Sequence, residues 1–372
     1  MTKILFLLGT RPEAIKLAPV IQEFQTHPEF EVKVGVTGQH REMLDQVMQF
    51  FKIKSDYDLN IMEPDQTLSD ITAKIIRLVS TDILPHFKPD WVIVQGDTTT
   101  AMAGAMAAFY GKAKIAHVEA GLRSNNMQSP YPEEMNRVVI SKLAECHLCP
   151  TSLAVDNLHH EGISTGVYNV GNSVIDALIL GLKIIENTDQ TQYYNFFKSI
   201  DFSRKIILVT CHRRESFGEP FENICKALVE LADKSSDFQI VYPVHLNPNI
   251  QKNAKHYLSN HQGIILIDPL PYDFLLWLMS KSYIILTDSG GIQEEAPTLN
   301  KPVLVLREFT ERMEGVDSGT AILVGTSTKK IVQQALNLLV DSEYYRQMAN
   351  KVNPYGDGNT SKRIAKILKE AS

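Results

Sequence analysis

The 372-residue sequence has few cysteines, no excess of basic residues and no long apolar run. Its 37 Lys and Arg residues are outnumbered by 43 Asp and Glu residues, which gives a formal net charge of −6. This balance offers no basic surface for nucleic acid or for an anionic membrane. No apolar stretch approaches the roughly 18 residues of a membrane-spanning helix, and no cleavable leader follows Met1. We therefore expect a cytoplasmic protein that binds neither nucleic acid nor membrane.

The four cysteines are scattered along the chain, at Cys146, Cys149, Cys211 and Cys225. Cys146 and Cys149 have the CxxC spacing of metal and redox sites, but no second CxxC or His pair stands at zinc spacing. Cysteine is also often a small, buried, apolar residue. We predict that these cysteines pack in the interior and that the protein has no metal site.

Short apolar runs alternate with helix-periodic stretches along the whole chain. The runs lack polar alternation, as expected for parallel strands covered by helices on both faces. The chain also exceeds the usual size of one hydrophobic core, so we predict two domains. The predicted class is α/β, with Rossmann-like doubly wound domains at residues 1–186 and 187–360 and a closing helix at residues 361–372. Leu68–His86 predicts one long helix, and Asn187–Tyr194 predicts the break between the domains.

The turn after the first predicted strand combines one glycine with basic residues. The run from Gly9 to Lys16, GTRPEAIK, matches neither the GxGxxG nor the GxxxxGK[ST] phosphate fingerprint. Arg11 would stand at a helix N-terminus, which attracts anions, and its guanidinium is a forked phosphate donor. The alternative is an ordinary helix cap with surface charges. We predict an anion site, because an arginine in the first turn opposes the helix dipole unless an anion is present.

Three carboxylates follow predicted strand ends in the first half of the chain: Asp97, Glu119 and, in the next acidic segment, Glu133. Each of them by itself could be a helix cap. The carboxyl ends of parallel strands share one edge of the sheet, so we predict that the three converge there. Carboxylates in such a place suit proton transfer.

The second half carries a predicted diphosphate site. His212 and Arg213 follow its first strand, and Ser289-Gly290-Gly291 follows a later strand and precedes a helix. Glycines at such a turn let backbone N–H groups come close to a ligand. Glu295, one turn into the helix, would repel phosphate and would instead accept bonds from ribose hydroxyls. The alternatives are a structural histidine and glycines required only for packing.

Together these motifs resemble the non-hydrolysing UDP-N-acetylglucosamine 2-epimerases of bacteria. The blocks that carry the resemblance span nearly the whole chain and are Gly9–Glu13, Gly96–Thr98, His117–Arg123, Pro132–Glu134, His212–Glu215 and Ser289–Pro297. The resemblance implies a GT-B-like architecture, in which two Rossmann-like domains face a cleft. It also implies a homodimer that works without metal, NAD or any other cofactor, with UDP-N-acetylglucosamine and UDP as ligands.

The activity implied by the resemblance is reversible epimerisation at C2 of UDP-N-acetylglucosamine to UDP-N-acetylmannosamine, a precursor of cell-surface polysaccharide. UDP is eliminated to leave 2-acetamidoglucal and is then added back. Carried over by motif, the catalytic residues are Asp97, Glu119, Glu133 and His212. The implied substrate-binding residues are Arg11, Lys16, Asp97, Glu119, His212, Ser289, Gly290, Gly291, Glu295 and Arg312. An allosteric site for a second UDP-N-acetylglucosamine would use Gln39, His40, Gln66, Arg213 and His245.

Three places depart from the family pattern. Phe309 and Met313 replace smaller or more rigid residues in the segment that reads Arg-Asp-Thr-Thr-Glu-Arg-Pro-Glu in the family, and Leu270-Pro271 replaces a common Gln-Glu pair. Asp65 stands where strongly regulated members have a basic residue. The segment Arg123–Met127 resembles related epimerases that act on modified sugars, so a 2-epimerase of a modified UDP-amino sugar is an alternative.

Other classes of protein would share part of these motifs. A GT-B glycosyltransferase would need the phosphate-binding groups and the late carboxylate, but not three carboxylates in the first domain. A non-catalytic nucleotide-sugar sensor would need none of the three. A hydrolysing epimerase is disfavoured by the run Gly290–Glu295.

Overall fold

The computed structural model describes residues 1–38, 41–63, 65–213 and 218–371. The chain divides into two compact units, one formed by residues 1–180 with 355–372 and the other by residues 181–354. The division falls within the helix Ser173–Glu186. Residues 355–372, which include the predicted closing helix, belong to the first unit. None of the described helices is long and apolar enough to cross a membrane.

The first unit is built on a seven-stranded parallel sheet with the order β3-β2-β1-β4-β5-β6-β7. Its strands are β1 (Thr2–Leu8), β2 (Phe30–Val36), β3 (Tyr57–Asp58), β4 (Trp91–Gln95), β5 (Lys114–Val118), β6 (Cys146–Cys149) and β7 (Val167–Asn169). Its helices are α1 (Arg11–Gln25), α2 (Arg41–Phe50), α3 (Leu68–Leu78), α4 (Leu84–Phe87), α5 (Thr99–Tyr110), α6 (Glu133–Leu143), α7 (Ser152–His160) and α8 (Ser173–Glu186).

The second unit repeats this plan with a six-stranded parallel sheet of order β10-β9-β8-β11-β12-β13. Its strands are β8 (Lys205–Thr210), β9 (Phe238–Pro243), β10 (Ile264–Ile267), β11 (Ile284–Thr287), β12 (Val303–Val305) and β13 (Ala321–Leu323). Its helices are α9 (Thr191–Phe196), α10 (Glu219–Lys234), α11 (Pro248–Leu258), α12 (Tyr272–Lys281), α13 (Gly290–Glu295), α14 (Met313–Asp317), α15 (Thr328–Val340) and α16 (Ser342–Ala349). The last helix, α17 (Thr360–Glu370), belongs to the first unit and packs on α1. Two doubly wound α/β sheets confirm the predicted fold class.

The central strands are apolar on both faces because helices cover both sides of each sheet. Every residue from Ile4 to Leu8 in β1 is completely buried. Helix α5 lies close to this sheet because its sequence is rich in alanine and glycine. A side-chain carbon added at Gly104 would meet the Leu7 side chain at 2.9 Å. A larger residue there would force α5 away from the strand that carries the first candidate turn.

One predicted helix was wrong in detail, and one strand was missed. The helix predicted at Leu68–His86 is interrupted by a π-helical turn, Val79–Ile83, between α3 and α4. The interruption immediately precedes Pro85, which has no backbone N–H to continue the α-helical ladder. Strand β3 was missed because it has only two residues, Tyr57 and Asp58, too few for a periodic pattern.

Each sheet changes direction of winding at one place. In the first unit, β1 lies between β2 and β4, and in the second unit β8 lies between β9 and β11. The chain winds outward from each central strand in both directions, which opens a crevice beyond the carboxyl ends of the two strands at the switch. The candidate turns after β1 and β4, and those after β8 and β11, stand at these two switch points.

We predict that Gly166→Ala destabilises the first unit far more than Gly162→Ala. Both glycines have a positive φ, which costs an alanine about 1–2 kcal/mol. A Cβ at Gly166 would also lie 2.1 Å from the Glu145 carbonyl oxygen, whereas nothing lies within 4 Å of one at Gly162. The backbone must therefore shift where β6 meets β7, so we expect a loss of at least about 3 kcal/mol in unfolding free energy. Equal thermal midpoints of the two variants would contradict this packing.

Candidate functional site

The turn between β1 and α1 is organised around a buried carboxylate, Glu13. Its Oε2 accepts bonds from the backbone N–H groups of Gly9 (3.0 Å) and Thr10 (2.8 Å) and from the Thr10 hydroxyl (2.7 Å). Its Oε1 accepts a bond from the Thr98 hydroxyl at 2.8 Å. Glu13 is completely buried, and burial raises its pKa to about 7 in spite of these four donors. Arg11 is the first helical residue, as predicted.

Glu119 stands directly after β5 and is held by two side chains. The Lys16 ammonium lies 2.6 Å from each carboxylate oxygen of Glu119, and the Gln95 amide also donates to it. Glu119 has a left-handed backbone, with φ of 65°, which is uncommon for a residue other than glycine. Lys16 was predicted to bind substrate. The structure pairs it with Glu119, a predicted acid/base group.

Asp97 follows β4 and is paired with an arginine of α6. The Arg137 guanidinium donates to Asp97 Oδ2 from Nε at 2.9 Å and from a terminal nitrogen at 2.6 Å. The Asn136 amide donates to the Asp97 carbonyl oxygen at 2.7 Å, which anchors the start of α6 on this turn. Asp97 does not cap α5, since the N-cap is Thr98, whose hydroxyl accepts the Ala101 N–H.

The two glutamates at the start of α6 have different environments. Glu134 is buried and accepts bonds from the backbone of Ser124 and Asn125 and from Arg137. Burial alone would raise the pKa of Glu134, but these donors lower it below its ordinary value. One carboxylate oxygen of Glu133, Oε2, is buried and has no hydrogen-bond partner in the part of the chain that the structure describes. Among the described residues, this oxygen of Glu133 therefore makes no contact that holds the fold.

A buried histidine supports the turn that carries Asp97. The Nε2 of His117, in β5, donates to the carbonyl oxygen of Gly96 at 2.7 Å, because a carbonyl can only accept. Burial lowers the pKa of His117 to about 4, so the ring is neutral at physiological pH. Strands β4 and β5 end at the same sheet edge because Gln95 pairs with Val118. Gly96 and Glu119, which follow these two residues, therefore lie at that edge.

In the second unit, Asp288 organises the switch point after β8 and β11. Its Oδ2 accepts the backbone N–H groups of His212 and Arg213, each at 2.7 Å, and its Oδ1 lies 3.2 Å from His212 Nδ1. Burial alone would raise the pKa of Asp288, but His212 and the two N–H donors lower it. The His212 ring stacks on His245 with centroids 5.5 Å apart, and burial together with His212 lowers the pKa of His245.

The glycine turn after β11 lies against an arginine. A Cβ added at Gly290, the first residue of α13, would lie 3.3 Å from the central guanidinium carbon of Arg312. Arg312 donates from Nε to the buried Glu294 at 2.8 Å. The Gly290 backbone and the Arg312 guanidinium therefore lie side by side at this turn, whereas the Ser289 N–H donates to the Thr287 hydroxyl at 2.9 Å. The absence of a side chain at Gly290 is what lets the guanidinium approach.

Glu295 lies near the end of α13 and is buried. The Tyr272 hydroxyl, at the start of α12, donates to Glu295 Oε1 at 3.0 Å. The Glu295 carboxylate thus accepts a hydroxyl group, which is the kind of donor that a ribose also offers.

Two side-chain hydrogen bonds hold the segment 307–314, which departs from the family pattern. Arg307 donates to Glu311 at 2.8 Å, and the Thr310 hydroxyl donates to Gln293 at 2.8 Å. Phe309 points outward and is 84% exposed, whereas Leu270, the other departure, is buried. An apolar ring with this exposure takes no part in the core of the second unit.

The residues predicted for an activator site are only partly described. Gln39 and His40 lie outside the described residues, as do Arg214 and Glu215 of the His212 block. The Gln66 side chain accepts the Glu63 N–H at 2.9 Å and donates to the Ile61 carbonyl at 2.9 Å, so it stabilises its own loop. Arg213 and His245 both lie beside His212 in the second unit.

The cysteines pack in the interior, as predicted. All four are free and buried, and burial raises the pKa of Cys146 and Cys149 to about 12, which disfavours a reactive thiolate. Within the described ranges, no group of three or more His, Cys, Asp or Glu side chains is arranged to hold a metal ion.

Comparison with known proteins decides the family. Residues 22–369 match the family model of UDP-N-acetylglucosamine 2-epimerase. A relative of that name from Neisseria meningitidis is 51% identical over 368 residues, which cover 98% of this chain and 99% of the relative. The chain belongs to the UDP-N-acetylglucosamine 2-epimerase family. The Escherichia coli K12 member is 49% identical over 370 residues, covering 99% of this chain and 98% of the relative.

Solved structures of the 2-epimerase family have the same fold. The crystal structure of the Neisseria meningitidis enzyme bound to UDP-GlcNAc superposes with a TM-score of 0.91 at 50% identity, covering 99% of this chain and all of that one. A Methanocaldococcus jannaschii enzyme in complex with UDP-GlcNAc and UDP has a TM-score of 0.81 at 34% identity, with coverage of 99% and 100%. The architecture of this 2-epimerase family member is therefore that of known enzymes.

Several residues of the site were missed or given no role by the sequence analysis. They are the partners of the predicted groups: Gln95 for Glu119, Arg137 for Asp97, Asp288 for His212 and Glu294 for Arg312. Glu13 and Glu294 lie within the family blocks, so their place beside predicted residues was a usable signal. Arg137 carried no such signal, because its partner is 40 positions away in the sequence.

We predict that Glu13 makes the protein less stable as pH rises. Its pKa is raised from 4.5 to about 7 by folding, so the folded state binds more protons than the unfolded chain between these values. Stability therefore falls across that interval, by roughly 3 kcal/mol for a shift of this size. Glu13→Gln removes this titration. The unfolding free energy of the variant minus that of the unmodified protein should therefore rise between pH 5 and pH 8.

A matched control is Asp70→Asn. Asp70 is at the same position of helix α3 and bonds to its own N-cap, Thr67, but it is exposed and its pKa is lowered. It is thus ionised in both states throughout pH 5–8, and the stability difference of this variant should stay constant. If the two variants showed the same pH dependence in denaturant titrations, Glu13 would not be a titrating buried group.

Proposed function

We propose that this protein interconverts UDP-N-acetylglucosamine and UDP-N-acetylmannosamine by eliminating UDP and adding it back. The observation that carries the proposal is the pair of carboxylates at one sheet edge of the first unit, where Arg137 holds Asp97 and Lys16 holds Glu119. Glu133 begins α6, the helix that supplies Arg137, and one of its buried oxygens has no partner among the described residues. The crystal structure of the Neisseria meningitidis relative bound to UDP-GlcNAc supports the choice of substrate.

The UDP-binding groups of the proposal are those of the second unit. Breaking the bond between C1 and the phosphate oxygen sends an electron pair to UDP, whose diphosphate gains negative charge. Arg312 and the backbone N–H groups of Gly290 and Gly291, at the start of α13, are preorganised donors for that charge, and such donors do not have to reorganise during the reaction. His212, fixed by Asp288, would act beside the diphosphate. Glu295 would accept the ribose hydroxyls.

The carboxylates account for the proton transfers. The C2 proton is not acidic in the intact sugar, because no carbonyl is adjacent to it. Departure of UDP develops positive charge at C1, and loss of the C2 proton to a carboxylate then forms the C1–C2 double bond of 2-acetamidoglucal. Inversion requires a proton to be returned to the opposite face, so one carboxylate is not enough. Asp97, Glu119 and Glu133 supply the general acid and base groups.

Further parts of the proposal follow from the family alone. Arg11 and Lys16 would assist in holding the UDP-sugar, and the protein would act as a homodimer. UDP-N-acetylglucosamine bound near Gln66, Arg213 and His245 would act as an activator. The glycosyltransferase alternative has less support, since it gives no role to the three carboxylates Asp97, Glu119 and Glu133 of the first unit.

The elimination mechanism predicts exchange of the C2 proton with solvent. With UDP-N-acetylglucosamine in D2O, NMR should show UDP-N-acetylmannosamine with deuterium at C2, and deuterium should also enter the recovered substrate. Protein heated until it is inactive is the control. Epimerisation with full retention of the original proton at C2 would refute the elimination. Transfer of the sugar to an acceptor without epimerisation would instead favour the glycosyltransferase.

The three carboxylates should each be needed for turnover. We expect Asp97→Asn, Glu119→Gln and Glu133→Gln to lower kcat by about a hundredfold or more, the usual scale for acid/base groups. Asp156→Asn, at an exposed position of α7, is the matched control and should keep normal turnover. Glu133→Gln should leave the thermal midpoint nearly unchanged, because its buried oxygen bonds to no other described residue. If one of these variants kept a normal kcat, its carboxylate would have no part in the proposed proton transfers.

A further inference from the structure

A buried link joins the two turns at the switch point of the first unit. Glu13 lies on α1, and Thr98 lies 85 positions later, between β4 and α5. One carboxylate oxygen of Glu13 binds Gly9 and Thr10 of its own turn, and the other binds the Thr98 hydroxyl. Both turns are thus tied to a single side chain.

Capping of α1 does not explain this arrangement. Asp70 serves the same capping role in α3 while exposed, and the hydrogen bonds that its carboxylate accepts come from Thr67, three positions away. Glu13 is fully buried, which is costly for a carboxylate unless surrounding donors stabilise it. The contact that distinguishes Glu13 is the one from the second turn.

The turn around Glu13 is also tightly packed. A Cβ added at Gly9 would lie 2.2 Å from the Thr37 hydroxyl oxygen and 2.3 Å from that of Thr100. These two hydroxyls are bonded to each other at 3.0 Å. The backbone of Gly9 therefore has little room to move, and a displacement of Thr98 would be transmitted directly to the start of α1.

The residues beside the link are those of the proposed chemistry. Thr98 follows Asp97, and it caps α5 by accepting the Ala101 N–H at 2.9 Å. Lys16 lies about one helical turn after Glu13 on α1 and contacts Glu119 at 2.6 Å. A change in the relation between the two turns would therefore move Asp97 relative to the Lys16–Glu119 pair.

We propose that Glu13 is a positioning residue, which holds the turn after β1 against the turn after β4 and so sets Asp97 relative to the Lys16–Glu119 pair. Glu13 does not itself touch substrate, because its side chain is completely buried. This inference rests on the proposed function, since it assigns the positioned groups to that reaction.

The test compares kcat and KM of Glu13→Ala, Glu13→Gln, Thr98→Val and Thr98→Ser. Glu13→Ala and Thr98→Val should lower kcat about tenfold or more with KM changed less than about threefold, because misplacing acid/base groups affects the transition state more than binding. Thr98→Ser keeps the hydroxyl and should restore most of kcat. The double variant Glu13→Ala/Thr98→Val should be no slower than the slower single variant, because both changes break one link.

The control variant is Asp176→Asn. Asp176 is also a buried carboxylate at a helix N-terminus, where it accepts the N–H groups of Thr360 and Ser361 at the start of α17. It should lower the thermal midpoint without lowering kcat. Equal losses of kcat in Asp176→Asn and Glu13→Ala would mean that stability, and not positioning, is being measured, and would overturn the proposal.

Amide hydrogen exchange tests the link independently of activity. Peptides covering residues 96–101 should exchange faster in Glu13→Ala than in the unmodified protein, and Glu13→Gln serves the same test if the alanine variant does not fold. Unchanged exchange there, or a Thr98→Ser variant as slow as Thr98→Val, would refute the link. If the unmodified protein formed no epimer, the proposed function would fail, while the exchange result would still decide whether Glu13 joins the two turns.

Discussion

The parallel pairing of β1 with β4 is the constraint on which the first candidate site depends. Residues Ile4, Leu5 and Phe6 pair with Trp91, Val92 and Ile93, so both strands end at the same edge of the sheet. The turns that follow them can meet only because of this register. In the second unit, the pairing of β8 with β11 brings Asp288 to the backbone of His212 in the same way.

Charged groups at both switch points are held by partners of opposite charge or by backbone donors. Lys16 contacts Glu119, Arg137 contacts Asp97, and Arg312 contacts Glu294. Such half-buried pairs add little to stability, because desolvation offsets much of the attraction between the charges. These pairs fix the orientation of the charged side chains, and an acid/base site requires that orientation before substrate binds. Glu133 is the exception, since its buried oxygen is unsatisfied within the described structure.

The residues that depart from the family pattern lie outside these networks. Phe309 is held on a braced segment near Arg312 but projects its ring into solvent, and Leu270 is buried where the family has a polar side chain. Neither change disturbs the donors of the glycine turn, because Arg312 keeps its bond to Glu294.

The sequence by itself determined the elements and the family. Strands β4, β6 and β8 coincide with short, largely apolar runs of the sequence, because strands covered by helices on both faces are largely apolar. The candidate turns were also recognisable from the sequence, because a glycine with polar or charged neighbours directly follows an apolar run and marks the end of the strand. The short strand β3 and the π-helical turn before Pro85 escaped because neither produces a periodic pattern.

Only the tertiary structure decided which charged groups meet. Lys16 and Glu119 are 103 positions apart, and Glu13 and Thr98 are 85 apart. Local patterns do not contain such pairs, because they depend on the order of strands in the sheet and on the register between neighbours. The predicted carboxylates were recognised from their place after strands and from the family blocks. Their partners became visible only when β1, β4 and β5 lay side by side, since long-range electrostatic contacts follow from packing and not from sequence spacing.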